Sequence, residues 1–207
     1  MKFYLSSYEL GKETEKLKTL IKDTNRKFGY IPNALDFTDA NKKMVAQRIK
    51  DNMKDFSQHG AEVEVLDLKK YFNKKSELKN KLIEMGGIYV SGGNTFVLRQ
   101  AFKLSGLDEI IIEMKDRKDF LYVAYSAGVC LLCPSLKPFS ITDNADDFPY
   151  KEIKKTIWDG LGIIDFTFEP HFDSDHPESK STDKEIKYCI DNKILFRAYR
   201  DGEVLIV

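Results

Sequence analysis

The sequence is poor in the features that mark several protein classes. No apolar run approaches the roughly 18 to 20 residues that cross a bilayer, and the opening Met1-Lys-Phe-Tyr-Leu-Ser-Ser lacks the apolar stretch of a signal peptide. Neither sign of charge is in excess: 33 Lys+Arg balance 33 Asp+Glu. That balance removes the footprint of a chain that grips a phosphate backbone. Only three cysteines are present, Cys130, Cys133 and Cys189, too few and too odd in number for a disulfide framework. The nucleotide-binding patterns Gly-x-x-x-x-Gly-Lys and Gly-x-Gly-x-x-Gly are missing. These absences predict a soluble, cytoplasmic protein with reduced thiols, no nucleic-acid partner and no membrane association.

What is present is core-forming material. Hydrophobic residues make up 42% of the 207, with 14 Phe and 10 Tyr, which suffices for one folded domain spanning 1–207. Cys130 and Cys133 have the Cys-x-x-Cys spacing, but a structural metal site needs a second ligand pair, and neither His59 nor the His171/His176 pair comes with a Cys cluster. They read as packing thiols, and no metal or cofactor is expected.

Short apolar runs alternate with amphipathic stretches, the pattern of βα units around a parallel sheet. Expected strands are Phe3–Leu5, Lys27–Ile31, Glu62–Leu68, Ile88–Val90, Phe120–Ala124 and Ile163–Glu169. Expected helices are Glu13–Asp23, Ala40–His59 capped by Asp39, Ser76–Met85, Phe96–Leu104, Leu107–Lys115, and one capped by Thr182 or Asp183 that runs to Ile190. Pro134, Pro138 and Asp143-Asn-Ala-Asp-Asp mark an irregular excursion, read as a loop over a site. Ile194–Tyr199 and Val204–Val207 flank Asp201-Gly202 as a hairpin. The fold class is α/β, a doubly wound, mostly parallel sheet with helices on both faces.

Three features carry chemistry. Ser126, in Ala124-Tyr-Ser-Ala-Gly128, sits between a buried strand and a helix, where a sharp turn projects its hydroxyl above the sheet. Alanine replaces the usual first glycine of Gly-x-Ser-x-Gly, and a helix-capping serine explains the same residues. Gly92-Gly93 follows a strand one unit earlier and can aim N–H groups at an oxyanion. His171, behind Pro170 at the end of an apolar strand, returns to that edge of the sheet and can act as a base. Each supplies a different role in acyl transfer, so they gain weight together. His176 lies in a loop with Asp175 and Pro177, and His59 near a helix end, where its charge suits the dipole.

In order and spacing, Val90-Ser-Gly-Gly-Asn-Thr-Phe, Tyr125-Ser-Ala-Gly and Gly160-Leu-Gly-Ile-Ile-Asp-Phe with Pro170-His-Phe resemble peptidase E, the α-aspartyl dipeptidase family of serine peptidases. The resemblance implies a sheet related to class I glutamine amidotransferases. It also implies Ser126 as nucleophile, His171 as base, and an oxyanion hole from Gly92 or Gly93 with the N–H of Ala127. The family's third member is an aspartate after the elbow helix, and here Asp143, Asp146 and Asp147 compete. Asp147 is favoured because Asp147-Phe-Pro is similar to the family's Asp-Met-Pro, with Glu169 the next candidate. Where the family carries a carboxylate-gripping Thr-Arg-Glu, this sequence reads Ser181-Thr-Asp-Lys-Glu185. The arginine is missing, with Asp183 at its place and only Lys180 or Lys184 nearby as a point charge. The expected activity is cleavage of a small peptide or related amide rather than efficient Asp-X hydrolysis. A cyanophycinase-like amide hydrolase and a non-catalytic small-molecule binding domain are the alternatives.

Overall fold

The computed structural model describes all residues from Met1 to Val207. Its frame is a six-stranded sheet of β1 (Lys2–Ser6), β2 (Lys27–Ile31), β3 (Glu62–Val65), β4 (Gly87–Val90), β5 (Leu121–Tyr125) and β8 (Val204–Ile206), in the order β3-β2-β4-β5-β1-β8. All neighbours are parallel except β8, which runs antiparallel to β1. Two further strands, β6 (Thr167–Glu169) and β7 (Phe196–Ala198), form a separate parallel pair.

The helices are α1 (Thr14–Lys22), α2 (Lys42–Gln58), α3 (Lys75–Ile83), α4 (Thr95–Ser105), α5 (Leu107–Glu113), α6 (Ala127–Cys130) and α7 (Ser179–Asp191). They divide between the two faces because the period of two in each strand sends alternate side chains to opposite sides. Leu5, Ile31, Ile88, Val90 and Tyr122 join α3 to α6 in one cluster of 33 buried residues. Tyr4, Phe28, Tyr30, Tyr89 and Val123 join Leu17 and Ile21 of α1 and Phe56 of α2 in another of 12. A buried ring such as Phe28 or Phe56 contributes about 1.5 to 3 kcal/mol of transfer free energy. The sheet is therefore covered on both sides, which explains why its central strands read as continuous apolar runs.

Several local expectations shift. The cap of α2 is Asn41, whose side chain accepts from the N–H groups of Lys43 and Met44, rather than Asp39, and Met44 is largely exposed. Neither Thr182 nor Asp183 caps α7, which begins at Ser179. Ile163–Glu169 yields only the three-residue β6, in the small sheet instead of the main one. The Asp201-Gly202 segment is not a hairpin turn: β7 pairs with β6, while β8 pairs with β1. Both strands flanking Asp201 are half-buried and short, so alternation alone cannot tell which neighbour each will choose.

Candidate active site

Val90 pairs with Ala124, so the carboxyl ends of β4 and β5 lie side by side and the turns beyond them meet. Ser126 is the only residue between β5 and α6, with φ 47° and ψ −120°. A non-glycine residue there is strained by about 1 to 3 kcal/mol, and such strain gathers at functional positions. The turn is tight enough that a Cβ on Gly128 would lie 2.9 Å from the Val90 carbonyl oxygen and 3.1 Å from the Ala124 methyl. Gly93 is held at φ +140°, and a Cβ there would lie 2.4 Å from the Ala34 carbonyl oxygen. The N–H groups of Gly92, Gly93 and Ala127 donate to no backbone carbonyl.

His171 arrives from β6, outside the main sheet, and takes φ 62°. Its Nε2 is 3.2 Å from Ser126 Oγ. Its Nδ1 is 2.8 Å from Asp201 Oδ1. Ser7, at the end of β1, binds both partners: the His171 N–H donates to Ser7 Oγ at 2.8 Å, and the Ser7 hydroxyl lies 3.0 Å from Asp201 Oδ1. The Asp201 N–H donates to Ser174 Oγ at 2.8 Å. Burial of the imidazole, reinforced by His176, lowers the His171 pKa from its ordinary value, while Asp201 pulls it the other way. The His176 ring stacks on His171 with centroids 3.7 Å apart and planes 11° from parallel.

None of the acids expected after the elbow contacts the imidazole. Asp147 is buried against Thr38, accepting from its N–H at 2.9 Å and from its hydroxyl. Asp146 accepts from the Thr156 hydroxyl at 3.1 Å. Asp143 accepts from the Thr95 N–H at 2.8 Å, at the start of α4. Glu169 is buried beside Cys189 and Glu185, and burial raises its pKa. The correction to Asp201 has a plain cause. The segment containing Asp143, Asp146 and Asp147 is anchored to residues 38 and 94–100, through bonds that include Asn94 Nδ2 to the Asn144 carbonyl and Gln100 Nε2 to the Asp147 carbonyl. The turn between β7 and β8 meanwhile comes up under His171. An Asp-Gly pair between two strands is ordinary turn chemistry, so nothing in the sequence singled out Asp201.

Ser126, His171 and Gly93 open onto a small cavity whose other polar walls include Asp143, Glu178 and Glu185. Phe139 and Thr142 also line it, so the excursion after Cys133 does cover the site. Enclosure pushes the Asp143 carboxyl up to about 7. Cys130, Cys133 and Cys189 are buried and unpaired, and burial pushes their thiols up. His171, His176 and Glu178 offer three ligand atoms within 4.8 Å of one another. The stacked rings, however, set the imidazole lone pairs side by side instead of convergent, and His171 Nε2 already faces Ser126.

The model of peptidase family S51 matches residues 5–206. This chain belongs to peptidase family S51. Among its relatives are an uncharacterized peptidase of Listeria monocytogenes, 34% identical over 47% of this chain and 45% of the relative, and one of Pasteurella multocida, 28% identical over 72% and 66%. A peptidase E of Salmonella arizonae is 32% identical over 44% of this chain and 36% of its own length. The matches thus span between 36% and 66% of these relatives' own lengths. A crystal structure of a proposed peptidase E protein from Listeria monocytogenes superposes with a TM-score of 0.71 at 23% identity, covering 100% of this chain and 97% of that one. That of a peptidase from an acI-B1 actinobacterium gives 0.66 at 19%, covering 100% and 82%. Both share the α/β fold.

In this S51 chain the segment that replaces the family's Thr-Arg-Glu is helical, and its register decides which residues face the site. Thr182, Glu185 and Cys189 of α7 are buried, at the i, i+3, i+7 spacing of one helix face. Asp183 and Lys184 point to solvent. The expectation that Asp183 occupies the arginine's place is therefore corrected: Thr182 and Glu185 line the cavity, and Asp183, Lys180 and Lys184 do not.

Proposed function

We propose that this protein is a serine-type hydrolase of the peptidase E kind, a single catalytic domain that cleaves small peptides or related amides through Ser126, His171 and Asp201. The observation that carries this reading is the continuous chain from Ser126 Oγ to His171 Nε2 at 3.2 Å and from His171 Nδ1 to Asp201 Oδ1 at 2.8 Å, on a strained elbow.

In this reading neutral His171 accepts the Ser126 hydroxyl proton at Nε2 as Oγ attacks the substrate carbonyl carbon. Asp201 accepts from Nδ1–H, fixes that tautomer and stabilises the imidazolium. The carbonyl oxygen becomes an oxyanion and receives hydrogen bonds from Ala127 and from Gly92 or Gly93, whose N–H groups are left free by the backbone. His171 then returns the proton to the leaving amine, and water releases the acyl group by the reverse sequence. The Oγ–Nε2 separation is at the long end for a hydrogen bond, as is common before substrate tightens the site. The buried, unpaired thiols fit a cytoplasmic location.

A fluorophosphonate probe followed by peptide mapping tests the reading. Ser126 should carry the label, and Ser126→Ala should fold, escape labelling and lose on the order of 10³-fold or more in turnover of small peptides. Ligand binding without labelling or turnover would instead favour a non-catalytic binding domain.

A further inference from the structure

The end of β1 is where the three parts of the site meet. The Ser126 N–H donates to the Ser6 carbonyl at 3.3 Å, and the Ser7 N–H donates to the Glu203 carbonyl at 3.1 Å. The elbow therefore lies against one side of this strand end, and the turn that carries Asp201 against the other. Ser7 is fully buried, and its hydroxyl faces three groups: the His171 N–H at 2.8 Å, Asp201 Oδ1 at 3.0 Å and the Tyr199 carbonyl at 3.2 Å. A hydroxyl has one hydrogen to give. The Tyr199 carbonyl already accepts from the Phe172 N–H at 3.0 Å, and a carboxylate is the stronger acceptor, so that hydrogen goes to Asp201.

We infer that Ser7 is a positioning residue of the hydrolytic site, acting through His171 and Asp201 by holding the base and the acid in one frame. The inference rests on the reading of Ser126, His171 and Asp201 as the reacting groups. Two observations give the frame its purpose. The Asp201 side chain is 24% exposed, so burial does not fix its rotamer. Its carboxylate has two protein donors, His171 Nδ1–H and the Ser7 hydroxyl, both on Oδ1. Without Ser7 that carboxylate is free to turn toward water. His171, for its part, holds φ 62°, a conformation that a non-glycine residue keeps only where its surroundings impose it. The bond from its N–H to Ser7 is one of those restraints. When Nε2 takes the Ser126 proton the imidazole becomes charged, and an acid fixed beforehand stabilises that charge without reorienting. The neighbouring Ser6 hydroxyl donates instead to the Tyr8 carbonyl at 2.9 Å, so the role belongs to Ser7 alone.

Ser7→Ala should lower kcat by about 10- to 100-fold, the range of one hydrogen bond to a charged group, with KM within about twofold of wild type. Ser7→Cys keeps the size of the side chain but offers only a weak donor. It should show a loss of the same kind, and it decides the matter if the alanine variant misfolds. A double-mutant cycle against Asp201→Ala separates positioning from bulk stability: the Ser7→Ala loss should shrink to about twofold or less once the carboxyl is gone. The His171 Nδ1–H proton should resonate far downfield in the wild-type protein and broaden or vanish in the Ser7 variants. Wild-type kcat in both Ser7 variants overturns the inference. So does a loss that persists at full size beside Asp201→Ala, or one that falls on KM alone. Fluorophosphonate labelling keeps this test apart from the reading beneath it. An unlabelled wild-type Ser126 defeats the nucleophile, whereas labelling together with an unperturbed Nδ1–H signal in the Ser7 variants defeats the positioning role alone.

Discussion

Asp201 Oδ1 lies 2.8 Å from His171 Nδ1 although 30 residues separate them, and Ser7 Oγ binds the His171 main chain and the Asp201 carboxyl together. The carboxylate in contact with the imidazole thus belongs to the turn that crosses from the small sheet to the edge of the large one, and not to the segment after the elbow.

Asp201→Asn should cost on the order of 10²- to 10⁴-fold in kcat, because the amide cannot hold the productive tautomer or stabilise the imidazolium. Asp147→Asn should leave kcat near wild type but lower stability by about 1 to 3 kcal/mol through its bonds to Thr38. Steady-state kinetics and denaturant unfolding on both variants give the comparison. The reverse pattern would return the acid to the excursion.

The acid limb of the pH–rate profile should lie below the ordinary imidazole range of roughly 6.5, since burial and His176 both lower the His171 pKa. Removing His176 should relieve part of this, so His176→Gln should move the limb to higher pH while keeping activity on its alkaline side. Linkage has the same sign. A histidine whose folded pKa is depressed contributes stability that is full above its unfolded value and lost as pH falls through the folded value. A limb that shifts downward in His176→Gln would contradict this account.

Gly93→Ala places a methyl 2.4 Å from the Ala34 carbonyl oxygen at φ +140°. The turn must move, so the variant should lose more than about 1 kcal/mol of stability. Any oxyanion donor it carries would be misplaced, with about 10²-fold or more lost in kcat. Thermal melts together with kcat report both effects, and an unchanged kcat would remove this turn from the oxyanion hole.

Glu185→Gln should be more stable than wild type at pH 8, with a difference that fades toward pH 5. Burial and the neighbouring Glu169 raise the Glu185 pKa. Its contribution to stability is therefore full below the unfolded carboxylate range of about 4.3 and is lost as pH rises through the folded value. Denaturant melts at the two pH values measure it. A variant less stable than wild type at pH 8 would mean that the carboxylate is held by donors.

By itself the sequence determined the central βα units, since the apolar runs at Lys27–Ile31 and Leu121–Tyr125 have few residues that tolerate another environment. It also marked Ser126, Gly93 and His171, because a strained turn, a close backbone approach and a base after a strand each demand a rare residue type or setting. Tertiary structure alone decided the rest. Asp201 and Asp147 are both aspartates in turn-like contexts, and only the crossing from β7 to β8 brings the first under the imidazole while Thr38 claims the second. Asp183 and Glu185 lie two residues apart, and only the helical register of α7 turns one to solvent and the other into the cavity. Local patterns fix what a residue type can do, but its partner depends on long-range packing, which one chain position does not encode.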